Sequence, residues 1–223
     1  MLSNTKLRVL AIHGYRQSDE IFSAKLGSLR KSFKREIEFT FVRAPHKVSP
    51  VKNCDNEIEN VNNAQQYGWW FNTEDRVFQA IVPSNLSVGF EDSIQLIKNI
   101  FKEKGPFDGL IGFSQGGSFV SLLCVMQQRN ILPIKFNFAI IISGFKSLCK
   151  PHELYYSENL TLPILHVYGA NDKVIPTNMS EDLNNMFENK DTFIHEGGHF
   201  VPGKKQIFNE FITRMLEIKK GNQ

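Results

Sequence analysis

At 223 residues, 41% of them hydrophobic, the chain can bury one substantial core, and a single domain over residues 1–223 is expected. Its 26 basic and 23 acidic residues are interspersed and leave a net charge of only +3, which excludes a charge-driven nucleic-acid binder. Three cysteines without metal or C-x-x-C spacing, a polar start and no apolar run near ~18 residues exclude a disulfide scaffold and stable membrane insertion, and imply a soluble, cytoplasmic protein.

Residues 7–12 read as a first strand, followed by the loop His13-Gly14-Tyr15-Arg16-Gln17 and a helix over 19–34, with Ser18 or Asp19 as its cap and Phe22, Leu26, Leu29 and Phe33 on one face. A second strand is expected over 37–43. Residues 45–86 depart from this rhythm: they are rich in Asn and Pro until Gly68-Trp69-Trp70-Phe71, and so long a connection points to a functional insertion or to disorder. The pattern then resumes with a helix over 87–104 stopped by Gly105-Pro106, and a short apolar strand over 109–113 leading into a helix from 115. Strands over 136–143, 162–169 and 192–195 follow, and a closing helix over 205–219. Strands alternating with helices predict an α/β fold with a mainly parallel central sheet and helices on both faces. The first strand is not followed by G-x-G-x-x-G, so a dinucleotide-binding domain fits poorly.

The most informative stretch is Gly112-Phe113-Ser114-Gln115-Gly116, a G-x-S-x-G pattern where an apolar strand gives way to a helix. Such an elbow holds a serine in a cramped backbone conformation with its hydroxyl projecting, and the new helix aims free N–H groups at the same spot. A chance match in an ordinary turn is the competing reading. A serine nucleophile needs a histidine to take its proton and a carboxylate to orient that histidine. Asp172 lies just past the strand at 162–169, and His199 follows Gly197-Gly198, which gives the serine, acid, histidine order of α/β-hydrolases.

The other candidates are placed differently. His13 ends the first strand and shapes a loop, His166 reads as a satisfied core histidine, and His195 belongs to a strand, while His46 and His152 fall in polar segments and read as solvated. Glu196 is too near His199 in sequence to approach its ring from behind, and Asp191 caps or starts a strand. The N–H of Gln115 and the N–H of Tyr15 are the candidate oxyanion donors. Trp70, Phe71 and Phe78 are expected to form an apolar lip on an acyl-chain pocket, although aromatic clusters also anchor loops to cores.

Taken with Leu10-Ala11-Ile12-His13-Gly14-Tyr15-Arg16-Gln17, Gly105-Pro106-Phe107-Asp108-Gly109, Ile142-Ser143-Gly144-Phe145 and Gly197-Gly198-His199-Phe200-Val201-Pro202, these blocks resemble the FSH family of serine hydrolases over nearly the whole chain. The resemblance implies an α/β-hydrolase fold, triad positions at Ser114, Asp172 and His199, and hydrolysis of small-molecule carboxylic esters, with lipid-like long-chain esters as the implied class. No metal or organic cofactor is required by that chemistry. Thioester hydrolysis by the same triad, and a noncatalytic hydrolase-fold binding protein, are the alternatives. The oligomeric state is left open.

Overall fold

The computed structural model describes residues 6–49 and 65–221. Cys54 and part of the 45–86 segment lie outside the described residues. Six strands form the central sheet: β1 (Leu7–Ile12), β2 (Ile37–Val42), β5 (Gly109–Phe113), β6 (Phe138–Ile142), β7 (Ile164–Gly169) and β8 (Lys190–His195). Their order is β2-β1-β5-β6-β7-β8, and all five pairings are parallel. A separate antiparallel pair joins β3 (His46–Lys47) to β4 (Tyr67–Gly68). The chain steps outward from β1 to β2, then returns to the other side of β1 for β5. That reversal opens a crevice at the C-terminal ends of β1 and β5, where ligands of open α/β sheets bind.

Helices cover both faces. One apolar cluster packs α1 (Asp19–Lys25), α2 (Gly27–Ser32) and α7 (Gln206–Gly221) on the sheet; the other packs α3 (Phe90–Lys104) and α4 (Gln115–Gln128). Short connecting helices α5 (Lys150–Glu153) and α6 (Thr177–Asn184) complete the set. The expected helix over 19–34 is two pieces, because Leu26 leaves helical geometry (φ −80°, ψ 8°), yet Phe22, Leu26, Leu29 and Phe33 are all buried as its apolar face requires. Ser18 Oγ accepts the Ile21 N–H (3.2 Å) and caps the first piece. The helix expected from 87 starts at Phe90.

The strand-to-helix turn after β5 is set by backbone contact. A Cβ on Gly116 would lie 2.3 Å from the Ile12 carbonyl oxygen and 2.4 Å from that of His13, and one on Gly112 would lie 2.3 Å from the Gly116 carbonyl oxygen. Only glycine lets the start of α4 sit this close to the end of β1. Between them Ser114 takes φ 54°, ψ −119°, a conformation L-residues rarely hold.

Two histidines expected in solvent are buried instead. His46 is 8% exposed, its Nε2 2.8 Å from the Gly89 carbonyl. His152 is 1% exposed, with its ring 4.2 Å from Phe90 and 5.4 Å from Trp70. Their segments are polar, but long-range packing fills the space around the rings with aromatic and backbone groups. His166 lies in the core as expected but is not satisfied: neither ring nitrogen makes a hydrogen bond of good geometry.

The elbow contact and the buried histidines each have a measurable consequence. Gly116→Ala forces a methyl into two carbonyl oxygens, and overpacking of this kind costs about 1–3 kcal/mol, so the thermal midpoint should drop by roughly 3–10 °C; an unchanged midpoint in a scanning melt would contradict the contact. The second concerns acid. Burial pushes the pKa of His13 and His152 down to about 4 and that of His166 to about 3. Between the unfolded value near 6.5 and these folded values the unfolded chain binds more protons, so stability present above ~pH 6.5 is lost as pH falls, on the order of 1–3 kcal/mol per histidine. His152→Phe should therefore gain on wild type in melts at pH 4.5 relative to pH 7, and a constant difference between the two would refute this.

Candidate active site

Four loops at the C-terminal edge of the sheet bring the candidate residues together: Tyr15 after β1, Ser114 after β5, Asp172 after β7 and His199 after β8. The Asp172 side chain is 1% exposed. Its Oδ1 accepts the N–H groups of Val174 and Ile175, both at 2.9 Å, and its Oδ2 lies 2.7 Å from His199 Nδ1. The acid is thereby fixed by its own loop before it meets the imidazole. A carboxylate at Nδ1 draws the ring proton there and leaves Nε2 as the acceptor.

The two loops are also stapled to each other. Asn171 N–H donates to the Gly197 carbonyl (3.1 Å) and Asn171 Nδ2 to the Glu196 carbonyl (2.7 Å). His199 packs its ring 4.8 Å from that of Phe113, the residue before the serine. Ser114 and His199 both line a groove of about 210 Å³, with Tyr15, Phe78, Ala80 and Val174 among its other walls. His195 is set apart: its Nδ1 accepts the Gly197 N–H (3.2 Å), and its ring packs on Phe200.

The elbow itself is held at both ends. Ser114 N–H donates to the Ile142 carbonyl, and Ser118 N–H donates to the Ser114 carbonyl, each at 2.9 Å. Gln115 is the first residue of α4, so its N–H has no partner within the helix. Tyr15 N–H likewise donates to no group among the described residues. Neither of the two expected oxyanion donors is thus committed to another group among the described residues.

The aromatic segment departs from expectation. Trp70 and Phe71 are 0% exposed and do not line the groove; Phe78 does. Trp70 packs edge-on against Phe78 (5.4 Å), and Phe71 edge-on against Tyr15 (6.5 Å), so both stand behind the wall rather than in it. The physical reason is Gln115. Its side chain, 0% exposed, accepts the Trp69 N–H (3.0 Å) and donates to the Trp70 carbonyl (2.8 Å), which pulls the segment into the core beside α4. No local pattern marks that side chain, because its partners lie 45 and 46 residues away.

A family model described as "Serine hydrolase (FSH1)" matches residues 2–211. The chain is 40% identical to "Esterase OVCA2" of Danio rerio, covering 96% of this chain and 99% of that protein. It is 39% identical to "Esterase C25G4.2" of Caenorhabditis elegans, over the full length of both. Among solved structures it superposes on Arabidopsis thaliana SOBER1 (TM-score 0.61, 17% identity, 95% of this chain and 99% of that one) and on Zea mays acyl-protein thioesterase 2 (TM-score 0.61, 17% identity, 95% and 94%), likenesses of fold. With an α/β-hydrolase sheet beneath a serine elbow, and relatives of this kind along its length, the chain belongs to the FSH1 family of serine hydrolases.

Proposed function

We propose that this chain is a carboxylic ester hydrolase in which Ser114 is the nucleophile, His199 the general base and Asp172 the residue that orients it. The observation that carries this reading is the 2.7 Å contact between a buried Asp172 carboxylate and His199 Nδ1, at the rim of a groove that also holds the strained Ser114. In the scheme, Ser114 Oγ attacks the ester carbonyl while His199 Nε2 takes its proton. The imidazolium that forms is stabilised by Asp172, and it returns the proton to the departing alcohol. The N–H groups of Tyr15 and Gln115 receive the charge on the carbonyl oxygen. Water then attacks the acyl-enzyme with His199 again as base, releasing the acid and freeing Ser114.

Substrate recognition in this reading falls to Phe78, Ala80 and Val174, an apolar set suited to an acyl or alkyl chain. Cytoplasmic residence belongs to the same proposal, supported by two buried, unpaired thiols at Cys124 and Cys149. No helix among the described residues is long and apolar enough to cross a membrane.

A fluorophosphonate probe should label wild type and not Ser114→Ala, and Asp172→Asn should lower kcat by roughly 10³–10⁴-fold. Equal labelling of wild type and Ser114→Ala would end the assignment, and matched oxygen and thiol esters in the same panel would read the preferred leaving group. For chain recognition, Phe78→Ala should lower kcat/KM on octanoyl esters about tenfold more than on acetyl esters. Trp70→Ala, which removes a buried support, should lower stability without that selectivity. Equal losses of Phe78→Ala on both chain lengths would show that the wall does not read the acyl group.

A further inference from the structure

His13 lies at the end of β1, 0% exposed, and has no contact with the groove that would let it act on substrate. Its two ring nitrogens are nevertheless both engaged. Ala44 N–H donates to Nε2 (3.0 Å), so Nε2 must carry its lone pair there. In a neutral imidazole the proton then sits on Nδ1, and Nδ1 is 2.8 Å from the carbonyl oxygen of Gly14. The tautomer is therefore dictated by Ala44, and the bond to Gly14 runs from ring to backbone.

That carbonyl shares a peptide unit with the Tyr15 N–H. In a trans peptide the C=O and N–H point in opposite directions, so holding the Gly14 oxygen on the His13 ring turns the Tyr15 N–H away from it. The preceding peptide unit is held as well. Trp69 Nε1 donates to the His13 carbonyl (2.7 Å), and the Gly14 N–H donates to Gln17 Oε1 (3.2 Å). Of the four polar groups in the two peptide units around Gly14, three are bonded, and the fourth, the Tyr15 N–H, has no partner among the described residues. The loop runs beside the nucleophile: a Cβ on Gly14 would lie 3.3 Å from Ser114 Cβ.

The geometry points to His13 as a positioning residue whose Nδ1–H locks the Gly14–Tyr15 peptide so that the Tyr15 N–H faces the oxygen of the reacting carbonyl. This rests on the reading of Ser114 as nucleophile and adds a side chain that holds one oxyanion donor in place. Glycine permits a peptide flip that most residues resist. A flip here would present a carbonyl oxygen where the negative charge develops. Burial, which pushes the His13 pKa down to about 4, keeps the ring neutral and the donor in place throughout the neutral range.

Two variants separate the two ring nitrogens. His13→Asn puts an amide N–H near the Nδ1 position and keeps a donor for Gly14, whereas His13→Gln can keep an acceptor for Ala44 but has no donor at Gly14. Removing an oxyanion donor outright typically costs 10²–10³ in kcat, so a donor left in place but unlocked should cost roughly 10–100-fold. For His13→Gln we expect that loss in kcat with KM unchanged, and an equal weakening of an alkylboronic acid, whose adduct with Ser114 is tetrahedral and anionic. His13→Asn should stay within about threefold of wild type on both readouts. Unchanged boronate affinity in His13→Gln, or equal losses in the two variants that track their thermal midpoints, would overturn the role. Should neither variant fold, ¹⁵N NMR of the wild-type imidazole decides: a protonated Nδ1 with a bare Nε2 is required, and the opposite tautomer refutes it. Loss of all Ser114-dependent turnover in wild type would instead remove the esterase reading, and this role with it. Normal kcat in His13→Gln alongside Ser114-dependent turnover would remove His13 alone.

Discussion

The rest of the structure depends on one strained residue, Ser114, held at φ 54° and ψ −119° between a buried strand and a buried helix. A conformation of this kind costs on the order of 1–3 kcal/mol and persists only where the surroundings over-determine it. Here they do so through backbone rather than side chains. The serine N–H is tied to β6, its carbonyl begins the α4 hydrogen-bond ladder, and the glycines at 112 and 116 let β1, β5 and α4 meet without intervening Cβ atoms. The hydroxyl is thus placed by three elements whose own stability comes from the core. Because every residue of β5 and residues 115–126 of α4 are buried, relaxing the strain would require opening that core.

The second constraint is the coupling of the 65–88 segment to the elbow. Trp69, Trp70 and Phe71 are fully buried, and aromatic side chains of this size contribute roughly 1.5–3 kcal/mol each on burial. Two of their backbone groups are satisfied by the Gln115 side chain, and Ser93 Oγ–H donates to the Trp69 carbonyl. A stretch that reads as loop is therefore fastened into the core by hydrogen bonds to the residue next to Ser114. Tyr15 and Phe78, which do face the groove, are thereby held at its wall and cannot sink into the core, because Phe71 and Trp70 fill the space behind them.

How much of this was legible in the sequence differs with the range of the interaction. The β1 limits at Leu7 and Ile12, the buried face of Phe22, Leu26, Leu29 and Phe33, and the elbow at 112–116 follow from periodicity and from backbone rules within a few residues. The kink at Leu26 escapes such reading because hydrophobic spacing continues across it. Chain order alone points to Asp172 and His199 as partners, but their geometry depends on Asn171 bridging to residues 196 and 197, which no local pattern records. The histidines at 46 and 152 and the aromatics at 70 and 71 are buried against their local pattern for one reason. Local polarity describes a residue's neighbours in sequence, whereas burial is decided by Phe90, Gly89 and Gln115, which arrive from distant elements.

The histidines of this chain sit in environments that differ in kind. Of six in the chain, His13, His152 and His166 are kept neutral by burial, and His195 is pushed in the same direction. His46 is tucked against a backbone carbonyl, and its nearest carboxylate, Asp92, is largely solvent-exposed at 3.6 Å. His199 differs in being hydrogen-bonded to a buried carboxylate while keeping 15% of its side chain exposed in a groove. His199 is the one imidazole among the residues lining the groove, and it is the ring that takes the Ser114 proton in the proposed mechanism. His13, a neutral ring, is bonded to the backbone of the loop after β1, so in the proposed mechanism the same residue type serves as proton acceptor at 199 and as scaffold at 13. The difference is made by what lies behind each ring: a carboxylate behind His199, and peptide groups behind His13.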